Sequence, residues 1–368
     1  MKARLSRVIA APVAAIALAA AFGAATVPGA SASIRPACGW QSLYLQNGWQ
    51  SADSAWNSGD PVYCVDNGVV YLGGSLTQPT AGPDEFAKLP PQALPTSSLY
   101  LSVYTYEGSP GTLHIGSDGS MSVWDDDIPG RAGEFTSLAG ISFPLAGTSL
   151  QQLPLNPAWQ SAGSTWNTGD PSYVIGNGIV HLAGSATITD ITNPATWFLQ
   201  IPNAMAPDRC VETNVYTFGS TVGTLLANQT DDMYFETGGD LSDQVKYISL
   251  AGVAYPAHGA IWTPLNLQTG WTTGVGDCQT GWMPSYTVID HIVYLSGAVI
   301  KSQPGASTLI GTLPATARPQ HDLFLTVSTG QNALGALHIT PAGLMFVSGG
   351  ATQTSLTSLS GISFQTSS

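Results

Sequence analysis

One phrase is written three times along this chain. Gly48-Trp49 recurs as Ala158-Trp159 and Gly270-Trp271, and Leu72-Gly73-Gly74 recurs as Leu182-Ala183-Gly184 and Leu295-Ser296-Gly297. Ser137-Leu138-Ala139-Gly140-Ile141 recurs as Ser249-Leu250-Ala251-Gly252-Val253 and Ser358-Leu359-Ser360-Gly361-Ile362. The period is 109 to 113 residues. Solenoid units span only about 20–50 residues, so each copy is expected to be a whole domain. The expected organisation is a leader over 1–32 and repeats over 33–146, 147–258 and 259–368. Whatever one copy folds into, all three must.

Within a copy the signals are those of hairpins. Tyr63-Cys64-Val65 and Val69-Val70-Tyr71-Leu72 flank Asn67-Gly68, a two-residue type I′ turn signal. The second copy keeps it as Asn177-Gly178, and the third writes Asp290-His291. Histidine is among the few non-glycine residues that tolerate positive φ, so that turn is expected to survive at some cost. Along the next strand Val70, Val180 and Val293 alternate with Tyr71, His181 and Tyr294. Period two therefore puts valine on the core face and the aromatic or imidazole on the other. Leu99, Leu101 and Val103 alternate in the same way with Tyr100, Ser102 and Tyr104. No segment carries a helical apolar stripe. With 41 glycines, 25 prolines and only 9% charged residues, the chain reads as all-β: three tandem antiparallel β-sandwich or jelly-roll-like domains.

Residues 1–32 read as an export signal. Lys2, Arg4 and Arg7 precede an apolar run, and Ala30-Ser31-Ala32 offers a cleavage site. Pro12, Gly23 and Pro28 break the run short of a membrane span, so no membrane insertion is expected. Losing three basic residues moves the formal net charge from −13 to −16, which argues against nucleic acid and anionic lipid as partners. In an exported chain four cysteines favour disulfides over metal. Of three possible pairings, Cys38–Cys64 and Cys210–Cys278 are favoured, because the first two share a copy and the last two lie in neighbouring copies. Each bridge is worth roughly 3–4.5 kcal/mol on the loop-entropy argument.

Candidate binding residues sit in two matched phrases, Ala55-Trp56-Asn57-Ser58-Gly59-Asp60-Pro61 and Thr165-Trp166-Asn167-Thr168-Gly169-Asp170-Pro171. Trp56 and Trp166 offer flat platforms for a sugar ring, with Asn57, Asp60, Asn167 and Asp170 as polar partners. The competing reading is that each indole covers the open end of its sandwich, where its burial is worth roughly 4–6 kcal/mol. Trp49, Trp159 and Trp271 recur in all copies and read as structural, and His114 and His338, at one strand position, read as packing. Asp125-Asp126-Asp127 is a solvated loop, a cation loop needing further oxygens, or a catalytic carboxylate pair. No G-x-S-x-G, H-E-x-x-H or phosphate-cradling glycine loop occurs, so neither catalysis nor a cofactor is expected.

The ordered set Gly-Trp, Pro-x-Tyr, a hairpin ending in Leu-x-Gly, Leu-Pro-x-x-x-Arg-Pro, Gly-x-Leu-x-Ile and x-Leu-x-Gly-Ile-x-Phe resembles a β-sandwich domain of bacteriophage tail-fibre and minor tail proteins. The third copy carries nearly all of it, including Leu313-Pro314 and Arg318-Pro319. The resemblance implies a non-catalytic, typically trimeric module at a fibre tip that contacts a bacterial surface. Here three modules are fused behind a leader, so the copies are expected to pack about a pseudo-threefold axis, a trimer made in cis within a monomer. The function expected is a secreted binding protein for a cell-surface glycan or protein. The alternatives are a structural or assembly protein of tail-fibre type, and a glycoside hydrolase using acids such as Asp60, Asp125 and Asp170.

Overall fold

The turn at Asn67-Gly68 sets the register of the first copy. Both residues lie at positive φ, 48° and 77°, the geometry a type I′ hairpin requires. Strand Val62–Asp66 therefore pairs with Val69–Gly73, with Tyr63 opposite Leu72 and Val65 opposite Val70. Asn177-Gly178 does the same in the second copy, and Asp290 and His291 adopt φ of 48° and 65° in the third. The glycine-free turn thus keeps the same hairpin, Ser285–Ile289 against Ile292–Ser296. The computed structural model describes residues 38–125, 129–190, 196–228, 231–237, 245–274, 283–303, 307–330, 333–349 and 356–367. The expected leader, Asp126, Asp127 and Cys278 lie outside the described residues.

Each copy is a sandwich of two antiparallel sheets. In the second copy a four-stranded sheet (Gln151–Gln152, Ser172–Gly176, Ile179–Ala183, Ala254–Pro256) lies over a seven-stranded one. That larger sheet runs in the order Trp159–Ser161, Ser185–Ile188, Ile248–Ser249, Val211–Thr217, Thr221–Ala227, Asp232–Thr237, Trp197–Gln200. The third copy repeats both orders. In the first copy the large sheet falls into a three-stranded and a four-stranded piece, joined by one isolated bridge, Thr105 to Thr136. That bridge corresponds to the single pairs Thr217–Ile248 and Thr329–Thr357 elsewhere, so the topology is one and the same. Among the described residues the α-helices are single turns: Asp53–Trp56, Arg131–Glu134 and Gly163–Trp166.

Three apolar cores fill the three sandwiches. Val70, Val180 and Val293 are fully buried in them, as alternation requires. Trp49, Trp159 and Trp271 are buried too, and each indole N–H donates to a backbone carbonyl, those of Pro83, Trp197 and Ser307, at 3.0, 3.1 and 2.9 Å. The structural reading of these three indoles holds. The first core is cross-linked by the disulfide Cys38–Cys64. Cys210 is also disulfide-bonded; Cys278, the partner expected for it, is outside the described residues.

Pro36–Ser368 is one compact unit, and its three copies pack cyclically about a pseudo-threefold axis. The matched strands Leu99–Tyr104, Val211–Thr217 and Leu323–Thr329 each pack on the other two. Gly140 of the first copy abuts Leu325 of the third, Gly252 of the second abuts Leu101 of the first, and Gly361 of the third abuts Thr213 of the second. A Cβ at these positions would lie 2.8, 2.6 and 2.3 Å from those side chains, and φ is +79°, +80° and +77°. Close approach and positive φ together explain why glycine recurs in each copy's Leu-x-Gly-Ile or Leu-x-Gly-Val phrase. At one end of the axis Tyr71, His181 and Tyr294 meet, so the second face of the hairpin strand is buried between copies.

Candidate functional site

The two matched tryptophan phrases are the clasps between copies. Asp53–Trp56 makes one helical turn, closed by Asn57 at φ 51°, whose N–H donates to Asp53 O at 2.7 Å. Gly163–Trp166 and Asn167, at φ 56°, repeat the geometry. Asparagine is the commonest non-glycine residue in that left-handed position. The turn aims the following carbonyl at the neighbouring copy. Asp322 N–H donates to Asn57 O, and Ser98 N–H donates to Asn167 O, both at 2.9 Å. Ser98, Cys210 and Asp322 hold one position in the repeat, and at the second copy that position carries the disulfide-bonded cysteine.

Side chains reinforce the first clasp. Asn57 Nδ2 donates to Asp322 Oδ2 at 2.7 Å, while Asp322 Oδ1 lies 2.6 Å from His338 Nε2. His338 stacks on Phe324 at 4.5 Å, and His114 lies against Tyr100 at 4.7 Å, so both histidines serve packing. Trp56 meets Phe135, Tyr106 and Phe324 with centroids 5.0, 5.9 and 5.9 Å away, and Trp166 meets Tyr247 and Phe218 at 5.3 and 5.8 Å. Each keeps about a third of its surface exposed, 36% and 37%. Trp56 thus packs on a ring of the third copy, and Trp166 packs on rings of its own copy.

The three seams differ in what fills them. Residue 97, 209 or 321 follows the matched prolines Pro95, Pro207 and Pro319 by two positions. Between the second and third copies Arg209 reaches across the seam. Its guanidinium lies over Trp262 at 5.3 Å and donates to Met283 O and Ser285 Oγ at 3.0 and 3.1 Å. Between the first and second copies Ser97 Oγ donates to Thr168 O at 2.9 Å. Between the first and third copies the same place holds His321, and a groove of about 330 Å³ stays open beside it. Ligand pockets run from roughly 300 to 1,000 Å³.

The open groove is built from both copies. Trp40, the counterpart of Trp262, lines it together with Gln320, His321, Asp53 and Asp60. Asp53 Oδ1 accepts the Gly59 N–H at 2.6 Å and lies 3.9 Å from His321 Nδ1. Asp60 Oδ1 accepts the Ser51 hydroxyl at 2.6 Å. The chain matches no family model, no curated protein and no solved structure. What the groove binds must be argued from its lining: an indole, carboxylate acceptors, an amide and an imidazole.

The remaining expected residues lie elsewhere. Asp170 accepts from Ser161 Oγ at 2.5 Å in the second copy, repeating the Asp60–Ser51 bond, and Asp125 accepts the Ala132 N–H. The acids named for a glycosidase, Asp60, Asp125 and Asp170, are thus not brought together, although Asp60 shares its groove with Asp53. Among the described residues no group of three or more His, Cys, Asp or Glu side chains converges to hold a metal. Trp40, Gln320 and His321 carried no sequence signal of their own. The signal lay in comparing copies: Arg209, Ser97 and His321 fall on one position, and only one can reach across the seam with a long charged side chain.

Proposed function

We propose that the chain is a secreted, non-catalytic protein that binds a cell-surface glycan or protein through the groove between its first and third copies. One observation carries this reading: at one repeat position Arg209 reaches across its seam and Ser97 bonds across another, whereas His321 borders a groove of about 330 Å³. A pyranose suits its chemistry, with C–H faces against Trp40 and hydroxyls donating to Asp53 and Asp60 or pairing with Gln320. The test uses His321→Arg, which supplies at this seam the guanidinium that Arg209 lays over Trp262. Glycan-array binding by the native chain, abolished in His321→Arg with an unchanged thermal midpoint, supports the reading. Array binding that survives the filled groove contradicts it.

The packing of Trp56 on Phe324 of the third copy favours a second reading, a structural or assembly protein of the tail-fibre type that the repeated phrases resemble. It expects concentration-dependent oligomers by analytical ultracentrifugation and no glycan hit. Export is part of both readings and agrees with the disulfide. Among the described residues no helix is long and apolar enough to cross a membrane.

A further inference from the structure

The seam between the first and second copies holds a second cavity, independent of the groove. It measures about 130 Å³ and is lined by Tyr100 of the first copy and by Trp166, Tyr216, Phe218, Gly219 and Tyr247 of the second. Five of its six lining residues are aromatic. Tyr100 stacks on Tyr216 at 5.6 Å and meets Tyr247 edge-on at 5.9 Å, and Trp166 stands edge-on to Tyr247 and Phe218 at 5.3 and 5.8 Å.

The matched cluster in the other seam shows that this opening is particular to one interface. There Trp56, Tyr104, Tyr106, Phe135 and Phe324 occupy the same positions, and Trp56 closes onto Phe324 at 5.9 Å. The corresponding pair is Trp166 and Tyr100. Among the described residues no ring contact joins them, and the cavity occupies the gap.

We propose that this aromatic box binds a quaternary ammonium group of the choline type. The face of an aromatic ring carries the negative lobe of its quadrupole, and a cation set among several aromatic side chains is attracted by them. Among the described residues no carboxylate lines the cavity, so a primary ammonium would lose water there without gaining charged acceptors from them. A methylated nitrogen has no N–H to satisfy. The size fits as well. A cavity of about 150 Å³ admits benzene, so this one takes a single trimethylammonium head. Net charge of −13 over the chain favours cations at long range.

Calorimetric titration of the full exported chain with tetramethylammonium, choline, phosphocholine and the uncharged isostere 3,3-dimethylbutan-1-ol tests this. Saturable binding of the two simple cations, at least about tenfold tighter than the alcohol, is expected. Phe218→Ala should abolish it, and Phe218→Tyr, which restores the residue of the first copy, should retain it. Sedimentation with phosphatidylcholine but not phosphatidylglycerol vesicles would assign the group to a lipid. Soluble phosphocholine binding without sedimentation would assign it to a soluble or glycan-borne ester. Equal affinity for the alcohol, no saturable heat with tetramethylammonium, or native affinity in Phe218→Ala would overturn the proposal. None of these outcomes depends on the groove at His321.

Discussion

His181 stands on the axis where the other copies place Tyr71 and Tyr294, and only 2% of its surface is exposed. Burial lowers its pKa from 6.5 to about 4. Between those values the unfolded chain takes up a proton that the folded one refuses. Stability is therefore highest above pH 6.5, falls as pH drops, and stops falling near pH 4. The loss is at most roughly 3–4 kcal/mol, from about 1.4 kcal/mol per pH unit. Urea denaturation of His181→Phe should show this slope removed between pH 6.5 and 4; an unchanged slope would place the titrating group elsewhere. Gly252→Ala makes a separate test of close packing, since its Cβ would meet Leu101 at 2.6 Å with φ at +80°. The backbone strain alone is worth about 1–3 kcal/mol, read as a lower denaturation midpoint. At this scale the alternation of Val70 with Tyr71 was legible in the sequence. That the tyrosine face is covered was not, because period two separates faces without saying what lies against them.

Hairpins and clasps carry the next level. The turns were legible because positive φ selects few residues, and Asp290-His291 shows that the selection is broader than glycine alone. Cys38–Cys64 was legible from compartment and spacing. Closing a separation of 26 residues, it should contribute about 3–4 kcal/mol, lost in a Cys38→Ala, Cys64→Ala double variant by chemical denaturation. The clasps were half legible. The phrases holding Trp56 and Trp166 are legible as equivalent, yet their partners, Phe324 and Tyr247, come from a neighbouring copy and a distant strand. No spacing within one phrase predicts either. Trp56→Ala should lower the thermal midpoint by opening the first–third seam, with an effect at the low end of about 3–5 kcal/mol because a third of the ring is already exposed.

For the whole molecule, repetition is what makes a monomer with threefold packing possible. Each copy supplies one glycine and one inner strand to a neighbour, and the apolar area covering Ala139, Ala251 and the axial tyrosines belongs to no copy alone. Divergence between copies then differentiates the seams: Arg209 reaches across one, Ser97 bonds across another, and His321 borders a groove. A homotrimer would have three identical grooves, whereas a fused trimer can keep one and change the others. The consequence is cooperative unfolding of Pro36–Ser368 as a single body. Differential scanning calorimetry measures this directly. The account predicts one transition whose calorimetric and van't Hoff enthalpies agree, and an isolated 147–258 segment with no transition of its own. Three resolved transitions, or a 147–258 segment that melts as it does within the whole chain, would contradict it.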